Sequence, residues 1–196
     1  MSSLVVIGAV LCGGNSSRMG EPKALLEVEG RSMAGRVAAA LAAAGATGVV
    51  LVGGDPAWAD ALGLAHLADR WPGEGPLGGL ATAVLDAPPD DPDGSEVDPV
   101  VVVAACDQPW LDPVPVAALV AALDARPQAG AAAPRTDDGR LHPFPSAWRA
   151  RTGRRLASLM NSGSRQADAG FGLVTLIEVA FDDRVVADVD RPEDLP

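Results

Sequence analysis

Three apolar runs constrain this chain more than any other feature: Leu4–Leu11, Val49–Val52 and Val100–Ala105. Each is rich in β-branched residues, lacks a polar alternate and stops at glycine or at Cys-Asp. A strand with no polar face must be covered on both sides, which is the condition inside a parallel sheet layered with helices. The stretches between the runs read as those helices. Ser32 is placed to cap an Ala-rich helix running to Ala44 and stopped by Gly45, and Asp55-Pro56 opens another. Leu64–Leu67 reads as a third strand, Leu80–Leu85 and Pro115–Asp124 as helices. Ala129–Pro134 and Leu141–Trp148 read as strands joined at Asp137-Asp138-Gly139, Arg151–Met160 as a helix and Leu173–Phe181 as a late strand.

The expected fold is therefore α/β: a single-domain, Rossmann-like three-layer sandwich over residues 1–196, with a mostly parallel, doubly wound sheet. The Pro- and Asp-rich stretch 88–99 is expected to be a solvated acidic loop outside the core. Ligands of such sheets sit beyond the carboxyl ends of the strands, so the loops after the first four strands are where chemistry is sought. No internal repeat is visible.

Charge narrows the partners. A net charge of −11 repels polynucleotides and anionic membranes, so neither is an expected partner. An anionic small substrate would need cations concentrated locally. The start, Met1-Ser2-Ser3, lacks a basic leader, and the first apolar run is too short to span a bilayer, so a cytoplasmic location is expected. Cys12 and Cys106 follow no zinc or disulfide spacing and read as reduced packing thiols.

The missing cations lie after the first strand, in Leu11-Cys12-Gly13-Gly14-Asn15-Ser16-Ser17-Arg18-Met19-Gly20-Glu21-Pro22-Lys23. Glycines let backbone N–H groups close around an anion, Arg18 offers a planar fork and Lys23 a point charge. A Walker A loop is excluded because Glu21 follows Gly20, and the dinucleotide fingerprint is not present. A strand-to-helix connector with surface charges is the plainer alternative. Across the chain, Asp107 directly follows a buried strand. A carboxylate at a strand end beside a phosphate loop suits Mg²⁺, although a turn Asp before Pro109 would look the same.

The first loop resembles the signature of nucleotidyltransferases that activate sugars, polyols and pterin cofactors, roughly L-x-G-G-x-S-x-R-M-G-x-x-K. Cys12 stands where that signature has Ala. The resemblance implies that the loop, Leu11, Cys12, Gly13 and Gly14 included, wraps a nucleoside triphosphate. It also implies that Lys23 contacts phosphate, that Arg18 neutralises departing pyrophosphate, and that Asp107 in its C-D-x-P segment holds magnesium. Gly75-Pro76-Leu77 within Gly73–Leu80 resembles the G-P-L-x-G segment of molybdenum cofactor guanylyltransferases, where it helps form the guanine pocket. Asp69 aligns with a nucleotide-contacting Asp of that family, and Gly53 falls where the family often has Asn.

His142-Pro143 and Asp188-Val189-Asp190-Arg191-Pro192-Glu193-Asp194 are similar to later family elements. His142 is equally a structural residue. Asp188 or Asp190 would serve as a second carboxylate or as a cap, and Arg165 would steer the acceptor's phosphate. The expected reaction transfers GMP from GTP to molybdopterin with Mg²⁺. A cytidylyltransferase, a sugar-phosphate nucleotidyltransferase and a non-catalytic nucleotide binder are the alternatives. Passing contact with other cofactor-building proteins or molybdoenzyme chaperones is implied as well.

Overall fold

A computed structural model describes residues 4–13, 22–88 and 98–189. The expectations for Gly14, Arg18, Asp190 and most of the 88–99 loop lie outside the described residues. One seven-stranded sheet carries the molecule. Its strands are β1 (Val6–Leu11), β4 (Gly48–Val52), β5 (Ala65–Leu67), β6 (Val100–Ala105), β7 (Ala131–Arg135), β8 (Ser146–Arg149) and β9 (Leu176–Ala180). They lie in the order β5-β4-β1-β6-β8-β7-β9. Only β8 runs against the rest, pairing antiparallel with both β6 and β7. The three apolar runs occupy β4, β1 and β6, side by side at the centre, as strands with two covered faces must.

Helices α1 (Met33–Ala43), α2 (Pro56–Leu62), α3 (Pro76–Asp86), α4 (Pro113–Asp124) and α5 (Gly153–Asn161) complete the layers. One core cluster joins α1 and α4 to one sheet face, and a second joins α3 and α5 to the other. Trp148 of β8 is fully buried in the second, stacked on Phe171 at a centroid distance of 5.5 Å. Such a pair contributes about 0.5–1.5 kcal/mol beyond area burial. The caps follow local chemistry: Ser32 accepts from the Gly35 N–H, Asp55 from Ala57 and Asp112 from Val114. Among the described residues no helix is long and apolar enough to cross a membrane.

Several boundaries differ from the sequence expectation. Helix α3 begins at Pro76, four residues before Leu80, because Gly75 takes φ 95° as the cap and Pro76 supplies a first turn that needs no N–H. Helix α4 likewise starts at Pro113. Of the expected Leu141–Trp148 strand only Ser146–Trp148 pairs, in a strand that runs on to Arg149; Leu141 forms an isolated bridge with Arg135. Residues Ala167–Leu173 form a 3-10 helix that shortens the last strand to Leu176–Ala180. A small hairpin of β2 (Glu27–Val28) and β3 (Arg31–Ser32), turning at Glu29 and Gly30, had no apolar alternation to announce it.

Candidate active site

The carboxyl ends of β1, β4, β5 and β6 open into one cleft of about 610 Å³. Leu11, Cys12 and Gly13 continue β1 into its floor, and Lys23 and Asp107 stand together on one side. Asp69, Gly75 and Pro76 line it as well. Two other grooves, of about 520 and 640 Å³, lie along α5 and the segment before β9 and contain none of the expected site residues.

Lys23 opens a 3-10 turn, Lys23–Leu25, and its Nζ lies 3.6 Å from Asp107 Oδ2. Asp107 is fixed from below. The neighbouring Gln108 is 2% exposed; its Oε1 accepts from the Ala105 N–H, and its Nε2 donates to the carbonyls of Phe144 and Val186. The carbonyl of Asp107 accepts from the Val189 N–H at 2.8 Å, which lays the C-terminal strap across the end of β6 and brings Asp188 into the cleft. One buried amide thus ties two remote chain segments to the strand end.

Asp69 is held by one oxygen. Its Oδ1 accepts from the Trp71 N–H and from the Thr82 hydroxyl, each at 3.0 Å, and Thr82 is fully buried in α3. Oδ2 faces Gly13, where an added Cβ would stand 3.6 Å away. Gly53, at φ 71°, sits behind Gly13 rather than in the cleft wall: a Cβ there would lie 3.5 Å from Gly13 Cα. Leu77 does not line the cleft either. It is fully buried in the core, and its N–H donates to the Arg165 carbonyl. Arg165 itself pairs with Glu74 beside the mouth of α3.

The remaining wall comes from residues that the sequence left unassigned or ambiguous. Arg140, His142 and Phe144 enter from the turn between β7 and β8, and Trp58 from α2. Asp138 Oδ1 accepts from the Thr136 hydroxyl and from the Arg140 N–H, and His142 Nε2 is 3.0 Å from Thr136 Oγ1. The Thr136 hydroxyl bond, then the Arg140 N–H, hold the Asp138 carboxyl below its usual value. Burial, then the nearby Arg140, push His142 down, so it is neutral at pH 7. The Cys12 thiol is pushed up by its hydrogen bond with Cys106, then by burial. No motif marks Trp58 or Arg140. The Asp-Asp-Gly turn preceding Arg140 was the available signal, since it reverses the chain at the strand ends.

A polyphosphate-sized cleft at the strand ends of a doubly wound sheet, with a lysine and an aspartate side by side, defines a nucleotide-handling α/β protein. Residues 8–171 match the model of the MobA-like NTP transferase domain, and the chain belongs to that family of nucleotidyltransferases. It is 46% identical over 80 residues to a molybdenum cofactor guanylyltransferase of Xanthomonas euvesicatoria pv. vesicatoria, covering 41% of this chain and 39% of that protein. To the Rhizobium meliloti molybdenum cofactor guanylyltransferase it is 36% identical over 140 residues, 71% of this chain and 61% of the other. The alignments thus span less than two thirds of these relatives. The fold is shared by molybdopterin-guanine dinucleotide biosynthesis protein A of Archaeoglobus fulgidus (TM-score 0.72, 20% identity, 96% and 94% of the chains covered). It is shared too by Rv0371c of Mycobacterium tuberculosis in complex with manganese (TM-score 0.64, 21% identity, 98% and 96% covered).

Proposed function

We propose that this nucleotidyltransferase transfers GMP from GTP to the terminal phosphate of molybdopterin and releases pyrophosphate. The single observation that carries the reading is the Lys23–Asp107 pair at the end of β6, in a cleft whose opposite wall holds Asp69. The names of the relatives supply the acceptor and the base.

In this reading an oxygen of the acceptor phosphate attacks the α-phosphorus of GTP. The new O–P bond forms as the bond to the β-phosphate oxygen breaks, and that electron pair leaves with pyrophosphate. The attacking phosphate is already ionised, so the site needs no general base. Lys23 places its ammonium on the triphosphate, beside the Gly13 backbone that continues β1 into the cleft. Asp69 Oδ2 is aimed to accept from the guanine N1–H or its exocyclic amine, which adenine does not offer in that pattern. Arg140 and His142 stand on the side left for the acceptor.

A divalent ion fits the same corner. Asp107 and Asp188 are hard oxygen donors lining one cleft, and Mg²⁺ takes one or two carboxylates together with phosphate oxygens. When bound, it would neutralise charge on the triphosphate and favour in-line geometry. The manganese complex of the Mycobacterium tuberculosis protein supports a divalent ion in this fold. GTP and magnesium are drawn from the cytoplasm, where we place the reaction.

Pyrophosphate release measured with each of the four nucleoside triphosphates, with and without molybdopterin, tests the proposal. Release should require GTP, molybdopterin and Mg²⁺ together. A preference for CTP, or turnover with a sugar phosphate in place of molybdopterin, would overturn it.

A further inference from the structure

Strands β1 and β6 run parallel and in register, with Leu11 opposite Ala105. The ladder continues one residue further, since the Cys106 N–H donates to the Leu11 carbonyl at 3.0 Å. On the other side, the Cys12 N–H donates to the Val52 carbonyl at 2.9 Å. The next residues to face each other across the two strands are therefore Cys12 and Cys106. Strand alternation puts both side chains on the sheet face of Val10 and Ala104, and both pack with that core cluster. Neighbouring strands stand about 4.8 Å apart, inside the span of roughly 4.4–6.8 Å between Cα atoms that a disulfide bridges. The thiols are reduced here, and the neighbouring Cys106 thiol helps to hold the Cys12 thiol up. Both line the cleft; Cys12 is buried and its thiol held protonated, so a small oxidant reaches the half-buried Cys106 first and Cys12 closes on the oxidised sulfur.

We propose that Cys12 and Cys106 are an oxidisable dithiol, closed to a disulfide by a peroxide, and that closure deforms the nucleotide cleft at Gly13. In the balanced step both S–H bonds and the peroxide O–O bond break, one S–S bond forms and two waters leave when the oxidant is hydrogen peroxide. The bond shortens the sulfur–sulfur contact to about 2.05 Å. The Asp107 side is braced by Gln108 and by the Val189 N–H, and the Cys12 N–H by the Val52 carbonyl, so the shift is passed to Gly13, the first residue beyond the ladder. Gly13 is where the backbone approaches Asp69 Oδ2, and a displaced Gly13 deforms that approach. The effect on nucleotide binding rests on the function proposed above; the thiol chemistry does not.

The chain has two cysteines, which makes thiol counting decisive. The full-length protein is treated with hydrogen peroxide, denatured, alkylated with iodoacetamide and weighed. Both thiols should vanish together in a monomer two hydrogens lighter, and dithiothreitol should restore both. A fluorescent GTP analogue should bind about tenfold more weakly to the oxidised protein and recover on reduction. In Cys106→Ser the peroxide should yield no monomeric disulfide and no dithiothreitol-reversible loss of binding. Independent consumption of one thiol, a sulfinic acid as the main product or cross-linked dimers would overturn the proposal. So would a disulfide that leaves GTP binding unchanged. If the reduced protein fails to bind GTP, the functional reading fails, while the mass measurement still decides whether the dithiol closes.

Discussion

Lys23 Nζ lies 3.6 Å from Asp107 Oδ2, joining the 3-10 turn Lys23–Leu25 to the carboxylate that follows β6. The two side chains are 19% and 25% exposed, so the pair is wet enough to be opened by a polyanion yet shielded enough to act on it. In the function proposed here, the nucleotide draws Lys23 to its phosphates while Asp107 turns to the divalent ion.

Lys23→Ala should lower kcat by about 10²–10³-fold, the usual loss when one charge aimed at a phosphoryl transition state is removed. Asp107→Asn should lower kcat to a similar extent and flatten the response to added Mg²⁺. Thermal melting should move little in both, because a partly exposed pair adds about 0–1 kcal/mol. Initial-rate kinetics across a magnesium series checks this. Turnover within about threefold of the parent would remove either residue from the mechanism.

Thr82 governs how Asp69 is presented. Its hydroxyl donates to Asp69 Oδ1 and accepts from the Arg70 N–H, all from inside α3. Thr82→Val keeps the shape but removes the acceptor of the Arg70 N–H and frees the carboxylate to rotate. The loss should be about 1–3 kcal/mol of stability, read by urea unfolding. Discrimination between GTP and ATP should narrow in the same variant, read by competition binding. An unchanged preference would take Asp69 out of base recognition.

The central sheet was legible because β4, β1 and β6 carry no polar alternate, a pattern with one physical solution. Capping residues Ser32 and Asp55 announced their helices for the same local reason. What the sequence hid was set by distant contacts. Pro76 reads as part of a loop until Gly75 is seen at positive φ against the Arg165 carbonyl. Gln108 reads as a bystander until its amide is found bonded to carbonyls from two remote segments. The cleft-lining parts of the glycine loop and the aspartates were local enough to find. Leu77 was misleading because its motif neighbours Gly75 and Pro76 line the cleft, while helical phase turns Leu77 itself into the core.

Among the described residues, Arg140 is the arginine that lines the cleft. Arg36, Arg70, Arg135, Arg151 and Arg165 are each paired with a carboxylate. Among the described residues the Arg140 guanidinium has no such pair, while its backbone is pinned through Thr136 and Asp138. A fixed backbone and an available fork at the cleft rim suit the acceptor's phosphate. Arg140→Ala should raise KM for molybdopterin about tenfold and leave KM for GTP unchanged. Arg140→Lys should recover part of the loss, since charge returns without the bidentate geometry. Equal effects on both substrates would contradict the assignment.

The same turn should loosen with acid in two stages. The Asp138 carboxylate can only accept, so Thr136 donates to it, and the Thr136 oxygen accepts from His142 Nε2–H. Burial first, then Arg140, lower the His142 value, with Asp138 and Asp183 opposing. Above the unfolded value near 6.5 the folded and unfolded chains both hold His142 neutral, and its contribution is constant. As pH falls below about 6.5 the unfolded chain takes up the proton first, so stability declines until the folded imidazole titrates too. Asp138 contributes stability that is full above its unfolded value near 3.8 and is lost as pH falls from there through its lower folded value. His142→Gln keeps an N–H for Thr136 and cannot titrate, so it should abolish the first decline and spare the second. Urea midpoints between about pH 7.5 and about pH 3 read both stages. An identical slope below pH 6.5 in parent and variant would show that His142 does not set it.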